Sequence, residues 1–221
     1  MRTALTLARV ALSASLVAAL ALLAFLALLT PVASPALHAQ EPSSAPAPGG
    51  PPLGSFAAMR VAIVPVQLWR ADSVGWSKTE NSATLRAELD SAIGEALRER
   101  GMGTRWAYAA DVVRGARRNP TYSTDPFALG VGRWRSLPPE IGEDLPALIA
   151  DNLRPIVAIG DARYALIPVE LRVDGEAVIL RLVLVDARIR QIVWVGDIGV
   201  TAGRDFAPAL AGRVADLIVE P

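Results

Sequence analysis

Most nucleophilic, acid–base and zinc chemistry in proteins rests on His, Cys and carboxylates, and this chain nearly lacks the first two. Its 221 residues include one histidine, His38, and no cysteine. His38 lies in a segment that reads as an export signal, so cleavage would leave a chain with neither residue type. Ser-His-Asp and Cys-His catalysis are then unavailable. Zinc sites built from His and Cys are unavailable too. Carboxylates remain. Glu140, Glu143 and Asp144 cluster before a predicted helix, with Asp151 and Asp161 further on. Such acids could serve general acid–base work or hold Ca²⁺ through oxygen ligands. They are also what the start of a helix attracts through its dipole, and the spacing is not that of an EF-hand. Gly130-Val131-Gly132 and Gly199 match neither a dinucleotide fingerprint nor a phosphate loop. The sole lysine, Lys78, follows no glycine. The expectation is no catalytic set, no cofactor and no metal.

Binding chemistry is better represented. Of the 22 basic residues all but Lys78 are arginine. Arg114, Arg117 and Arg118 are followed by Arg133 and Arg135, with Trp134 between the last two. Arginine beside aromatics is the composition of protein-contact hot spots. It also suits stacking on nucleic acid, which an exported chain would not meet. The ordinary alternative is a solvated helix face followed by a loop that Trp134 pins down. Trp69 and Trp76 flank the loop after the first strand, and loops beyond strand ends are favoured binding places. Trp69 is expected partly buried against a helix, and Trp76 exposed. The expected contact face is therefore Trp69, Trp76, Arg117, Arg118, Arg133, Trp134 and Arg135.

These residues must be held by a fold, and the apolar pattern predicts one. Arg60-Val61-Ala62-Ile63-Val64-Pro65-Val66 reads as a strand, with Pro65 suggesting an edge or bulge. A polar loop follows from Arg70 to Ser82. Leu85, Leu89, Ile93 and Leu97 recur every four residues and predict an amphipathic helix, which Gly101 ends as a left-handed cap. Met102 to Tyr108 reads as a second strand. Asp111 would cap a short helix to Arg118, where Asn119-Pro120 stops it. Residues 119–143 are irregular. A further helix runs from about Leu145 to Val157, and Pro155 should kink or end it. Ile167, Val169, Leu171 and Val173 alternate with Pro168, Glu170 and Arg172 and predict a strand with one wet face. Asp174-Gly175 signals a hairpin, after which Val178 to Val185 reads as a strand buried on both faces. Gln191 to Val200 forms the next strand. Asp205 caps a final helix with Phe206, Leu210, Val214 and Leu217 facing inward. The order β-α-β-α-α-β-β-β-α predicts an α/β (α+β) domain, one mixed sheet of about five strands with helices against it.

The amino-terminal residues carry the location. Arg2 and Arg9 precede an uncharged, proline-free run from Val10 to Leu29, then Thr30-Pro31 and a small-residue stretch ending at Ala39. This is the layout of a secretory signal, with cleavage expected after Ala39. The run is also long enough to span a bilayer as a retained anchor, with the domain outside. Residues 1–39 thus read as signal or anchor, 40–58 as a Pro/Gly/Ser-rich linker, and 59–221 as one domain. Without a cysteine, neither lipidation at the cut site nor a disulfide can occur. Removing residues 1–39 takes two arginines and no acid, leaving a net charge of about −2, with no basic excess for nucleic acid.

The landmarks Arg60-Val61-Ala62-Ile63-Val64-Pro65, the helix ending at Gly101, Arg163-Tyr164-Ala165-Leu166 and Asp186 followed by Val193-Trp194 together resemble a family of bacterial envelope domains. That family includes the amino-terminal domain of TolB, the curli secretion lipoprotein CsgG and the penicillin-binding-protein activator lipoproteins. It often shows D-x-x-T-G-x-V-V-W at the hairpin, where this chain has Ile189-Arg190 in place of Thr-Gly. The resemblance implies an extracytoplasmic, non-enzymatic role by contact with envelope proteins, in the periplasm or envelope of a Gram-negative-type bacterium. It leaves room for self-association and for a membrane tether through residues 10–29. An exported carboxylate-dependent hydrolase and a small-ligand sensor domain are the alternatives. The hydrolase would need Glu140, Glu143, Asp144 or Asp151 to converge.

Overall fold

A computed structural model describes residues 51–70, 81–135 and 138–219. Trp76, the loop around it, the export signal and its cut site lie outside the described residues. Among the described residues no helix is long and apolar enough to cross a membrane.

The strands are β1 (Val61–Ile63), β2 (Leu68–Arg70), β3 (Trp106–Ala107), β4 (Tyr164–Asp174), β5 (Ala177–Asp186) and β6 (Gln191–Thr201). The helices are α1 (Ser82–Glu99), α2 (Ala109–Arg118), α3 (Ala147–Ile159) and α4 (Phe206–Asp216). One mixed sheet runs β3-β1-β4-β5-β6, with β2 also paired to β4. β1 is parallel to both β3 and β4, while β4, β5 and β6 form an antiparallel meander. Gly175, at φ 57°, turns the β4–β5 hairpin in the left-handed region that a tight turn needs. The predicted fold class holds, with β2 as an added strand.

Each sheet face carries its own core. On one, Leu85, Leu89, Ile93 and Leu97 of α1 and Phe206, Leu210 and Val214 of α4 pack on Leu166, Leu171, Leu180 and Leu184. The four-residue spacing predicted for α1 is thus the stripe it buries. On the other face, Ile149, Leu153 and Ile156 of α3 join Val112, Leu129, Val131 and Trp134 over Ala165, Ile167, Val183 and Val185. A fully buried aliphatic side chain contributes roughly 1.5–3 kcal/mol, so two such layers suffice without disulfides.

Several local expectations need correction. Pro65 is not at an edge, since β1 lies between β3 and β4. It stands just past β1, where the missing N–H falls between two bonds to β4, Val64 N–H to Leu166 O at 3.1 Å and Gln67 N–H to Pro168 O at 2.9 Å. The chain resumes pairing as β2, opposite a register shift in β4 between Pro168 and Glu170. The second strand is only two residues long because Tyr108 leaves it to cap α2, its N–H donating to Asp111 Oδ2 at 3.4 Å. The helix therefore starts before Asp111. Pro155 lies inside α3 and does not end it, because the Asp151 carbonyl it would have paired belongs to an exposed residue that water can serve. Asp205 precedes α4 without a side-chain cap bond. β4 lacks the expected wet face over most of its length, since Pro168 and Glu170 are buried, whereas β5 is less buried than expected, with Ile179 and Arg181 partly exposed. Leu53, in the stretch read as linker, is 1% exposed and packs in the first core. Its N–H donates to Leu217 O at 2.7 Å, and Phe56 meets Tyr164 edge to face.

Candidate binding groove

The break in the sheet at Pro65 organises a concavity between two helices. Val66 N–H, left between β1 and β2, donates to Asp90 Oδ1 of α1 at 3.1 Å. Asp90 is half-buried, and it sits one turn beyond Arg86. Burial pushes its carboxyl up to about 7, and the Val66 N–H and the Arg86 charge offset only part of that rise. Beside it a cavity of about 750 Å³ runs between α1 and α2, past the ends of β1 and β3.

Its walls follow from helical spacing. Ala83 and Ala87 of α1 stand four apart, and Ala110, Val113 and Arg117 of α2 follow a three- and four-residue rhythm. Small side chains on both walls keep the groove open. Phe127, 40% exposed, forms part of the rim. Arg86, Arg114 and Arg117 bring three guanidinium groups to the lining. Arg114 is paired with Asp111 at 3.1 Å. The Nε of Arg86 is buried and has no hydrogen-bond partner.

Gln67 holds the rim. Only 6% exposed, it donates through Nε2 to Pro65 O at 2.7 Å and to Pro126 O at 2.8 Å, and its Oε1 accepts Leu129 N–H at 3.0 Å. All three bonds are to main chain, so one side chain fastens the irregular 119–143 segment to the break in the sheet.

A second polar cluster lies on the sheet. Glu170, 6% exposed, faces Arg70 at 3.4 Å and Arg135 at 4.0 Å. Burial raises the Asp197 carboxyl, and hydrogen bonds from Arg181 and Arg172 outweigh this, so it ends below the ordinary value. These charges pair with one another, although Arg172 Nη1 is buried without a hydrogen-bond partner.

The expected contact residues do not share one face. Trp69 is half-buried, with its ring edge-on to Phe206 at 6.1 Å between centroids. Arg117 lines the groove, and Arg118 is exposed at the end of the same helix. Arg133 and Arg135 are exposed on a 3-10 turn, Val131–Arg135. Trp134 is 3% exposed within the second core, so its indole pins the turn and is not a contact surface. Trp76 lies outside the described residues. Glu140, Glu143, Asp144, Asp151 and Asp161 are all exposed, and Asp161 lines a cavity with Arg154, Arg163, Arg188 and Arg190. Among the described residues no three His, Cys, Asp or Glu are placed to hold a metal.

Residue-type counting missed Asp90 and Gln67. The signals were available: a polar side chain inside the apolar run from Val66 to Trp69, and an acid next to the α1 stripe, four residues from Arg86.

No family model matches the chain, and no curated protein matches it. Solved structures similar to it include the LpoB C-terminal domain from Escherichia coli, at 14% identity over 70% of this chain and 87% of that one, with a TM-score of 0.38. Escherichia coli LpoB solved by NMR gives 15% identity over 78% and 80%, with a TM-score of 0.40. Lipoprotein GNA1162 from Neisseria meningitidis gives 18% identity over 71% and 96%, with a TM-score of 0.32. At these scores the likenesses carry no functional argument.

Proposed function

We propose that this chain is a non-enzymatic, extracytoplasmic module of the bacterial cell envelope that acts by binding protein. The observation that carries this reading is the α1–α2 groove. It is open, walled by small side chains and rimmed by arginine. Export is supported by the basic, apolar and small-residue order of residues 1–39. Contact with envelope proteins is also what the sequence resemblance implies.

The test is a photo-reactive residue placed at Ala110 in the groove, with a control at exposed Arg204. Irradiation of living cells should yield protein adducts from position 110 and not from 204. Protease added to spheroplasts should digest the domain. Absence of adducts at 110 from a folded variant, or protection from protease, would overturn the proposal.

A further inference from the structure

We infer that the groove between α1 and α2 receives an amphipathic helix of a protein partner, with its apolar stripe on the alanine walls and carboxylates along its flank. This rests on the protein-contact reading above and narrows it to one kind of occupant.

Shape comes first. Helices pack at interaxial distances of about 8–10 Å, and small residues permit the closer approach. Ala83 and Ala87 on one wall, and Ala110 with Val113 on the other, present small side chains at helical spacing. The apolar anchors of an incoming helix repeat at the same intervals. Phe127 at the rim offers an exposed ring to such an anchor.

Charge selects the flank. Three guanidinium groups and one carboxylate, Asp90, line the groove, and Asp111 pairs with Arg114 from outside the lining, so a net positive charge remains. The Asp90 carboxyl is pushed up to about 7, so at neutral pH it is only about half ionised. Arg114 and Arg117 stand three apart on α2, the interval at which acids on a facing helix can meet them. Arg86 brings a further positive charge to the α1 wall. A basic helix would meet like charge on both walls.

The test uses fluorescein-labelled 18-residue helical peptides with a common leucine stripe and Glu, Gln or Lys on the flanks. Sodium dodecanoate serves as a non-peptide amphipath. Anisotropy with the folded domain should show the Glu peptide binding at least tenfold more tightly than the Gln and Lys peptides, with affinity falling as salt rises. The Arg114→Glu/Arg117→Glu variant should reverse the preference towards Lys. Should that variant misfold by circular dichroism, Arg114→Gln/Arg117→Gln should abolish the Glu preference. Equal binding of the three peptides, or binding of dodecanoate alone, would overturn the inference. In that event protein adducts at Ala110 in cells would still leave the broader protein-contact reading standing.

Discussion

The Gln67 side chain accepts the Leu129 N–H at 3.0 Å across 62 positions of sequence. With its two donated bonds it joins the break after β1 to the segment carrying Phe127. A buried group left without its partner costs about 1–3 kcal/mol. Gln67→Leu strands two carbonyls and one N–H, so it should lower stability by roughly 3 kcal/mol. Urea denaturation measures this directly. A loss under about 0.5 kcal/mol, the scatter expected of a surface substitution, would show that water replaces the side chain.

Asp90 makes stability depend on pH near neutrality. Its carboxyl is pushed from 3.8 up to about 7 in the folded protein. The folded state therefore keeps a proton that the unfolded chain has already released. Stability should fall as pH rises from about 4 to about 7 and level off above, with a total loss of roughly 4 kcal/mol. The groups facing Asp90 are Val66 N–H from the strand break, Arg86 from its own helix, and Arg114 and Arg117 across the groove. Asp90→Asn keeps an acceptor for Val66 and removes the titration. Its urea midpoint should match the parent near pH 3.5 and exceed it at pH 8. Parallel pH profiles for the two proteins would refute this.

Asp186 behaves in the opposite sense. It is 2% exposed and accepts from Arg163 Nε at 2.8 Å and from the N–H groups of Arg188 and Ile189. Burial raises its carboxyl, but these bonds together bring it below the ordinary value. Its contribution is present above the unfolded value of 3.8 and is lost as pH falls through the lower folded one. Asp186→Asn should destabilise the protein at pH 7 by roughly 2 kcal/mol and flatten the acid limb of its unfolding curve. An unchanged acid midpoint would count against the assignment.

The β5–β6 turn carries a correctable strain. Arg190 has φ 58°, where side chains with a Cβ are disfavoured by about 1–2 kcal/mol. This is the place of the glycine in the hairpin pattern quoted above. The Arg190–Asp151 contact, 3.7 Å between exposed groups, stabilises little. Arg190→Gly should raise stability by about 1 kcal/mol, visible as a higher melting temperature. A lower one would mean that the arginine is held by more than this contact.

What the sequence displayed well was periodic. The α1 stripe from Leu85 to Leu97, the Gly101 cap at φ 84° and the three long strands all left regular signals. β2 escaped because three residues, Leu68–Arg70, show no alternation and pair only with the far half of β4. Trp134 was read partly as surface because arginines flank it, yet a 3-10 turn points its indole inward. The groove was illegible for a related reason. Its walls are alanines, whose type carries no chemistry, and its polar centre, Asp90, acts on a backbone gap that only the tertiary fold creates.

The bond from Leu53 N–H to Leu217 O places the first and last elements of the folded unit side by side. The chain order is then separable from the architecture. A linker joining residue 219 to residue 51, with the chain reopened between Gly175 and Glu176, would give a circular permutant that breaks only the β4–β5 connection and keeps every strand pairing.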